Sequence, residues 1–119
     1  MKRFFVLIVA LAIFTLIAGV GVALDIQVAP QTLVLSSNGG KLTVHTDIPF
    51  EMAENVALDI DGTDVVITTF ADDCGNLVAQ CTKEAAKAAI GEFEGKTTTV
   101  TVTLTVDGDS DSEDIRVKK

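Results

Sequence analysis

The chain has 119 residues, with 17 acidic against 9 basic side chains, one histidine, two cysteines, no tryptophan and no tyrosine, and a formal net charge of −8. That excess of carboxylates repels a phosphate backbone, and no run of Lys and Arg offers a local exception, so the composition argues against nucleic acid or anionic lipid as a partner. The length suits one small domain and is too short for two independent cores.

The chain opens "MKRFFVLIVALAIFTLIAGVGVALD": Lys2 and Arg3, an uncharged apolar run from Phe4 to Leu24, then Asp25. A basic start followed by an apolar stretch is an export signal, and the small residues Gly21 and Ala23 place a cut after Ala23. Residues 1–23 are thus expected to be a signal peptide and residues 24–119 the domain. About 20 apolar residues also suffice to cross a bilayer, so an uncleaved anchor stays open, with membrane contact only through residues 4–24. Under either reading everything after Asp25 is exported, either secreted or tethered to the outer face of the cytoplasmic membrane. Losing Lys2 and Arg3 takes the formal net charge from −8 to −10.

Short strands separated by turn residues follow. "DIQVAP" sets Ile26 and Val28 on one face before Pro30 interrupts the ladder, and "TLVLSS" continues with Leu33 and Leu35. "NGG", Asn38 to Gly40, reads as a hairpin turn, because these residues accept positive φ cheaply. In "KLTVHTD", Leu42, Val44 and Thr46 share one face and His45 lies on the other. "IPFEMAEN" is irregular and is expected to cross between sheets; "VALDI" and "DVVITTF" flank a second turn at Asp61, Gly62 and Thr63. "NLVAQC" is another strand.

"TKEAAKAAIG" predicts a helix of about two turns, with Thr82 as amino-terminal cap, Glu84 in the first turn and Gly91 at the end. A helix so short must lie against the sheets. "KTTTVTVTLTV" is the clearest strand, with Val100, Val102, Leu104 and Val106 facing inward and threonines facing out. "DGDSDSE" reads as a turn, and "DIRVK" closes the chain with Ile115 and Val117 inward. Seven or eight short strands with one helix predict an all-β fold, an antiparallel β-sandwich preceded by the apolar signal or anchor helix. Without Trp or Tyr, the core falls to Val, Ile, Leu, Ala and a few Phe.

The order "VAPQTLVLSSNGGKLTVHTDIP", "DDCGNLVAQC", short helix, "TVTVTLTVDG", "SEDIRVKK" resembles an immunoglobulin-like module of secreted and surface proteins of bacteria and archaea. The likeness rests on Pro30, Thr32, Leu33 and Leu35; Ile48 and Pro49; Asp72, Asp73, Gly75, Asn76 and Leu77; and Asp114, Ile115 and Val117. It implies an immunoglobulin-like sandwich with a structural or adhesive role. The chain departs from that pattern in having Cys81 where the module has Phe, and in a sparser run of Asp before it.

Four groups of residues are candidates for chemistry. An exported chain makes Cys74 and Cys81 a candidate disulfide. Yet a strand from Asn76 to Cys81 separates its ends by roughly 16 Å, whereas bridged Cα atoms lie within about 7 Å. Alternation favours Cys81 as a buried apolar residue and Cys74 as a loop thiol, free or paired between chains. Six intervening residues are not the spacing of a thioredoxin-type redox centre, and two cysteines with the distant His45 do not make a zinc set.

Two acidic stretches are candidate calcium ligands: Asp72, Asp73 and Asn76, and Asp107, Asp109 and Asp111. The latter alternate like the opening of an EF-hand loop, but Ser112 stands where the Gly belongs and Lys118 where the bidentate Glu belongs. An ordinary solvated turn is the competing reading. His45 lacks any motif around it, no Ser has a partnered base, and no Gly-rich strand-to-helix turn is present to cradle phosphate. The expectation is a non-catalytic structural or adhesive module with no cofactor, binding a protein or cell-surface partner through loops or an exposed strand edge. A pilin-like filament subunit and a calcium-dependent binding module are the alternatives.

Overall fold

The computed structural model describes residues 24–119 apart from Asn38; the signal or anchor segment 1–23 lies outside the described residues. Along these the order is β1 (Ile26–Ala29), β2 (Thr32–Val34), β3 (Lys41–Pro49), a 3-10 turn (Phe50–Met52), β4 (Val56–Ile60), β5 (Thr63–Val65), β6 (Thr68–Ala71), β7 (Asn76–Thr82), α1 (Lys83–Ile90), β8 (Thr97–Val106) and β9 (Asp109–Lys118). The strands form a five-stranded sheet in the order β2-β9-β8-β4-β5 and a four-stranded sheet in the order β1-β3-β7-β6. All pairs are antiparallel except β2 with β9.

Period-two alternation builds the core between the layers. Val100, Val102, Leu104 and Val106 are all 2% exposed or less, and Leu42, Val44, Leu58, Ile60, Leu77 and Ala79 meet them from the facing strands. Each aliphatic side chain buried in this way stabilises the fold by about 1.5–3 kcal/mol. The three described phenylalanines stay out of this cluster: Phe50 and Phe70 are exposed and Phe93 is half-buried, so the core is aliphatic throughout. Thr46 is the polar residue of the inward row on β3. Its hydroxyl donates to the Leu77 carbonyl at 2.8 Å and accepts from the Ile48 N–H at 3.2 Å, beside the register shift between His45 and Pro49.

The helix forms where its caps place it: the Thr82 hydroxyl accepts from the Ala85 N–H at 3.1 Å, and Gly91 closes the last turn with φ 74°. Ala86, fully buried, seats the helix across the lower mouth of the sandwich. Lys83 is 6% exposed, and its ammonium donates to the Ser37 carbonyl at 2.6 Å and to the Ser37 hydroxyl. φ at Gly40 is 98°, a backbone conformation that favours glycine, and a Cβ there would press to 3.3 Å on Cε of the Lys83 side chain.

Three local expectations give way to longer-range pairing. β2 and β3 lie in different sheets, so Gly39 and Gly40 belong to a crossing loop rather than a hairpin, and β1 pairs with β3 instead; Asn38 of that loop lies outside the described residues. "DVVITTF" splits into β5 and β6, which pair in different sheets across Val66 and Ile67, and this brings the strands to nine among the described residues. Finally, "DGDSDSE" is turn only at Asp107 and Gly108, whose φ values of 50° and 94° make a two-residue hairpin turn of the primed kind. From Asp109 onward the segment is strand, pairing residue by residue with β8 from Asp109 opposite Val106 to Lys118 opposite Thr97.

That last difference positions two acids. On β9, Asp111 and Glu113 continue the inward row of Ile115 and Val117, at the margin where β1 lies without a backbone partner on its outer side. The Ile26 N–H donates to Asp111 Oδ2 at 3.1 Å and the Val28 N–H to Glu113 Oε1 at 3.0 Å, while Gln31 Nε2 donates to Glu113 Oε2 at 2.6 Å. The chain then passes the cis Ala29–Pro30 bond into β2, where Arg116 N–H meets the Gln31 carbonyl and Leu35 N–H the Lys118 carbonyl. The amino-terminal segment therefore sutures the two sheets.

Glu113→Ala should lower stability by about 2 kcal/mol, since it removes a charged acceptor from two donors, and should speed amide exchange at Val28. Asp73→Ala, exposed at the β6–β7 turn, should stay within about 0.5 kcal/mol of the parent. Denaturant unfolding with amide exchange checks both.

Candidate functional site

One flank of the sandwich is closed and the other is open. At the open flank, among the described residues, β6 pairs only with β7. The Asp72 N–H donates to the Asn76 carbonyl at 2.9 Å, and alternation from that pair turns Thr68 and Phe70 toward β7. Thr69 and Ala71 consequently present their backbone N–H and C=O groups outward. Val66 to Ala71 carries no charge, Val66 is 86% exposed, and Phe70 is 40% exposed. Edge strands are commonly protected by charge, proline, a covering element or shortness; β6 has only its four-residue length, and among the described residues none of the others.

Phe70 belongs to a row across the outer face of the smaller sheet: Gln27, His45, Val78 and Phe70 stand opposite one another on β1, β3, β7 and β6. Val78 is 1% exposed although it faces away from the core cluster. Strand alternation alone does not give this, and it shows that the outer face is partly covered by its own side chains. His45 is exposed, as its alternation predicts. It borders a concavity of about 410 Å³ beside β1, shared with Asp25, Gln31, Asp47 and Glu113. Asp47 Oδ1 accepts the Asp25 N–H at 3.2 Å and Glu113 the donors already described, so this concavity is acidic and its carboxylates hold backbone.

Neither calcium candidate assembles a cation cage. Asp107, Asp109 and Asp111 are spread from the turn along β9 rather than gathered by a loop: Asp107 Oδ1 accepts the Asn55 N–H at 2.7 Å, Asp111 turns to Ile26, and Asp109 is exposed. In the β6–β7 hairpin, Asp72 Oδ1 accepts the Cys74 N–H at 2.8 Å and the Asn76 N–H at 2.9 Å, while Asp73 is exposed. Among the described residues no three His, Cys, Asp or Glu side chains converge as a metal site. The carboxylates cap amides that the turns would otherwise orphan.

The cysteines are unbonded: Cys74 is exposed at the hairpin tip and Cys81 is buried in β7 among the core aliphatics. Strand extension keeps them apart, as the geometry of a continuous strand predicts. Burial pushes the Cys81 thiol up, partly offset by a backbone hydrogen bond at Leu42. Lys83 as a buried clamp on Ser37 carries no local signal, because its partner is 46 residues away.

Set against models of known protein families and against curated proteins, the chain matches none.

Thiol titration of the native protein should show Cys74 reacting at least ~100-fold faster than Cys81, which stays protonated and covered. The raised Cys81 value has a defined sign: above the ordinary thiol value of about 8.5 the unfolded chain ionises while the folded chain keeps its proton, so stability falls as pH rises. Cys81→Ala should remove that slope, as read by denaturant unfolding across the alkaline range.

Proposed function

We propose that the chain is an exported, non-catalytic surface module of immunoglobulin-like architecture, and that it engages a protein partner by strand addition along β6. The observation that carries the proposal is the uncharged β6 edge, uncovered among the described residues, with outward backbone groups at Thr69 and Ala71 on either side of exposed Phe70. An extended segment adding there would gain main-chain hydrogen bonds, and its side chains would meet the outer face at Phe70.

The strand orders support the immunoglobulin-like reading. β1-β3-β7-β6 corresponds to the A-B-E-D sheet of such sandwiches, and β9-β8-β4 to G-F-C, with β2 and β5 added at its edges. The basic start and apolar run of residues 1–23 support export, and the alternative of a retained anchor leaves the same domain outside the membrane.

Intact mass of the protein from its native host should place the amino terminus at Leu24; a full-length mass favours the anchor. Peptides selected from a random displayed library should shift the amide resonances of Thr69 and Ala71. Thr69→Lys with Ala71→Lys should weaken them roughly tenfold or more, about 1.4 kcal/mol. Binders that leave β6 unperturbed would overturn the strand-addition reading.

A further inference from the structure

The charges of the sandwich are sorted along its length. Lys41 opens β3 opposite Thr82, Lys118 ends β9 opposite Thr97, and the Lys119 N–H donates to the Lys96 carbonyl, which sets these lysines at the lower end with α1 and its Lys87. Beside them stand Glu84, Glu92 and Glu94, and Asp64 of β5 against the helix. The upper end comprises the β6–β7 and β8–β9 turns and the β3–β4 crossing. It carries Asp72, Asp73, Asp107, Glu51 and Glu54, and among the described residues no lysine or arginine.

Shape follows the same division. At the upper end the 3-10 turn exposes Phe50, 37%, and Met52, 69%, with Glu51 between them and Glu54 just beyond. At the lower end a concavity of about 340 Å³ has Leu35 and Phe93 in its wall with Lys87, Glu92 and Lys119, and Lys119 Nζ lies 4.8 Å from the centre of the Phe93 ring. An apolar knob beside two acids faces one way, and an apolar hollow with two lysines against one glutamate faces the other.

We propose that the partner of these two surfaces is a second copy of this chain. Met52 and Phe50 of one molecule seat in the Leu35–Phe93 hollow of the next, and Glu51 and Glu54 lie against Lys87 and Lys119. Methionine is suited to the role because its unbranched thioether adapts to an irregular hollow. The two patches differ and sit at opposite ends, so the contact is head-to-tail and adds copies in a row, open-ended or closing into a ring of more than two according to the rotation between neighbours. Net charge opposes any such association, but at about 0.1 M salt the Debye length is about 10 Å, which screens repulsion between whole molecules while leaving contact pairs in force. This surface is separate from the β6 edge.

Sedimentation velocity of the purified protein tests the proposal. At about 0.1 M salt the weight-average mass should keep rising with protein concentration beyond a dimer, and it should fall at least twofold toward the monomer at about 1 M salt, where the Debye length is about 3 Å. Glu51→Lys with Glu54→Lys, and separately Lys87→Glu with Lys119→Glu, should each remain monomeric, and a one-to-one mixture of the two should regain the growth. All four side chains lie on the surface, and circular dichroism confirms that each variant is folded. A monomeric parent, a mass that stops at a dimer, or a mixture that stays monomeric overturns the proposal. Association that survives both charge reversals but is lost with Thr69→Lys also overturns it, and assigns self-pairing to β6 instead.

Discussion

Two backbone amides at the margin of the smaller sheet set the terms for the rest of the fold. The N–H groups of Ile26 and Val28 point away from β3, and left unpaired each would cost about 1–3 kcal/mol. They end instead on Asp111 and Glu113. These carboxylates stand in the inward row of β9, where strand period alone would place aliphatic side chains. One strand thus serves two purposes: Ile115 and Val117 fill the core where the sheets are close, and the acids bridge the gap where they part. Because the bridge is made by side chains, the chain can leave β1 after Ala29 and join β9 by backbone bonds in β2.

The parts of the fold legible in the sequence are those governed by neighbours a few residues apart. The inward rows of β3, β7 and β8 follow from alternation, and α1 follows from Thr82, an alanine-rich body and Gly91. The parts that were not legible depend on partners far along the chain. Asp, Ser and Gly between Asp107 and Glu113 have strong turn preference, and only the ten-position match with β8 makes most of them strand. Gly39 and Gly40 have the chemistry of a hairpin turn but serve a crossing between sheets. The division of "DVVITTF" between two sheets leaves no mark in its apolar pattern, because β5 and β6 are both edges. The β6 edge itself was anticipated only as a strand edge of unknown place. The clamp of Lys83 on Ser37 carried no local signal at all.

The same economy shapes the surface. Three of the aspartates read as candidate calcium ligands accept backbone amides: Asp72 closes its own hairpin, Asp107 holds the β3–β4 crossing, and Asp111 holds β1 beside Glu113. Charge also marks where contact is discouraged and where it is open. The β1 flank is closed by inward carboxylates, whereas the β6 flank is bare of them, and the division of acids and lysines between the two ends gives the sandwich a direction. Strand addition at the side and head-to-tail contact at the ends use different surfaces, so both readings can hold in one molecule.

Scalar couplings transmitted through hydrogen bonds provide the most direct test of the seam. In protein labelled with ¹³C and ¹⁵N, correlations should link the Ile26 amide nitrogen to the Asp111 side-chain carboxyl carbon and the Val28 amide nitrogen to that of Glu113. If both are missing while the backbone couplings between β8 and β9 are observed, the sheets are not joined by these carboxylates and the account fails at its base.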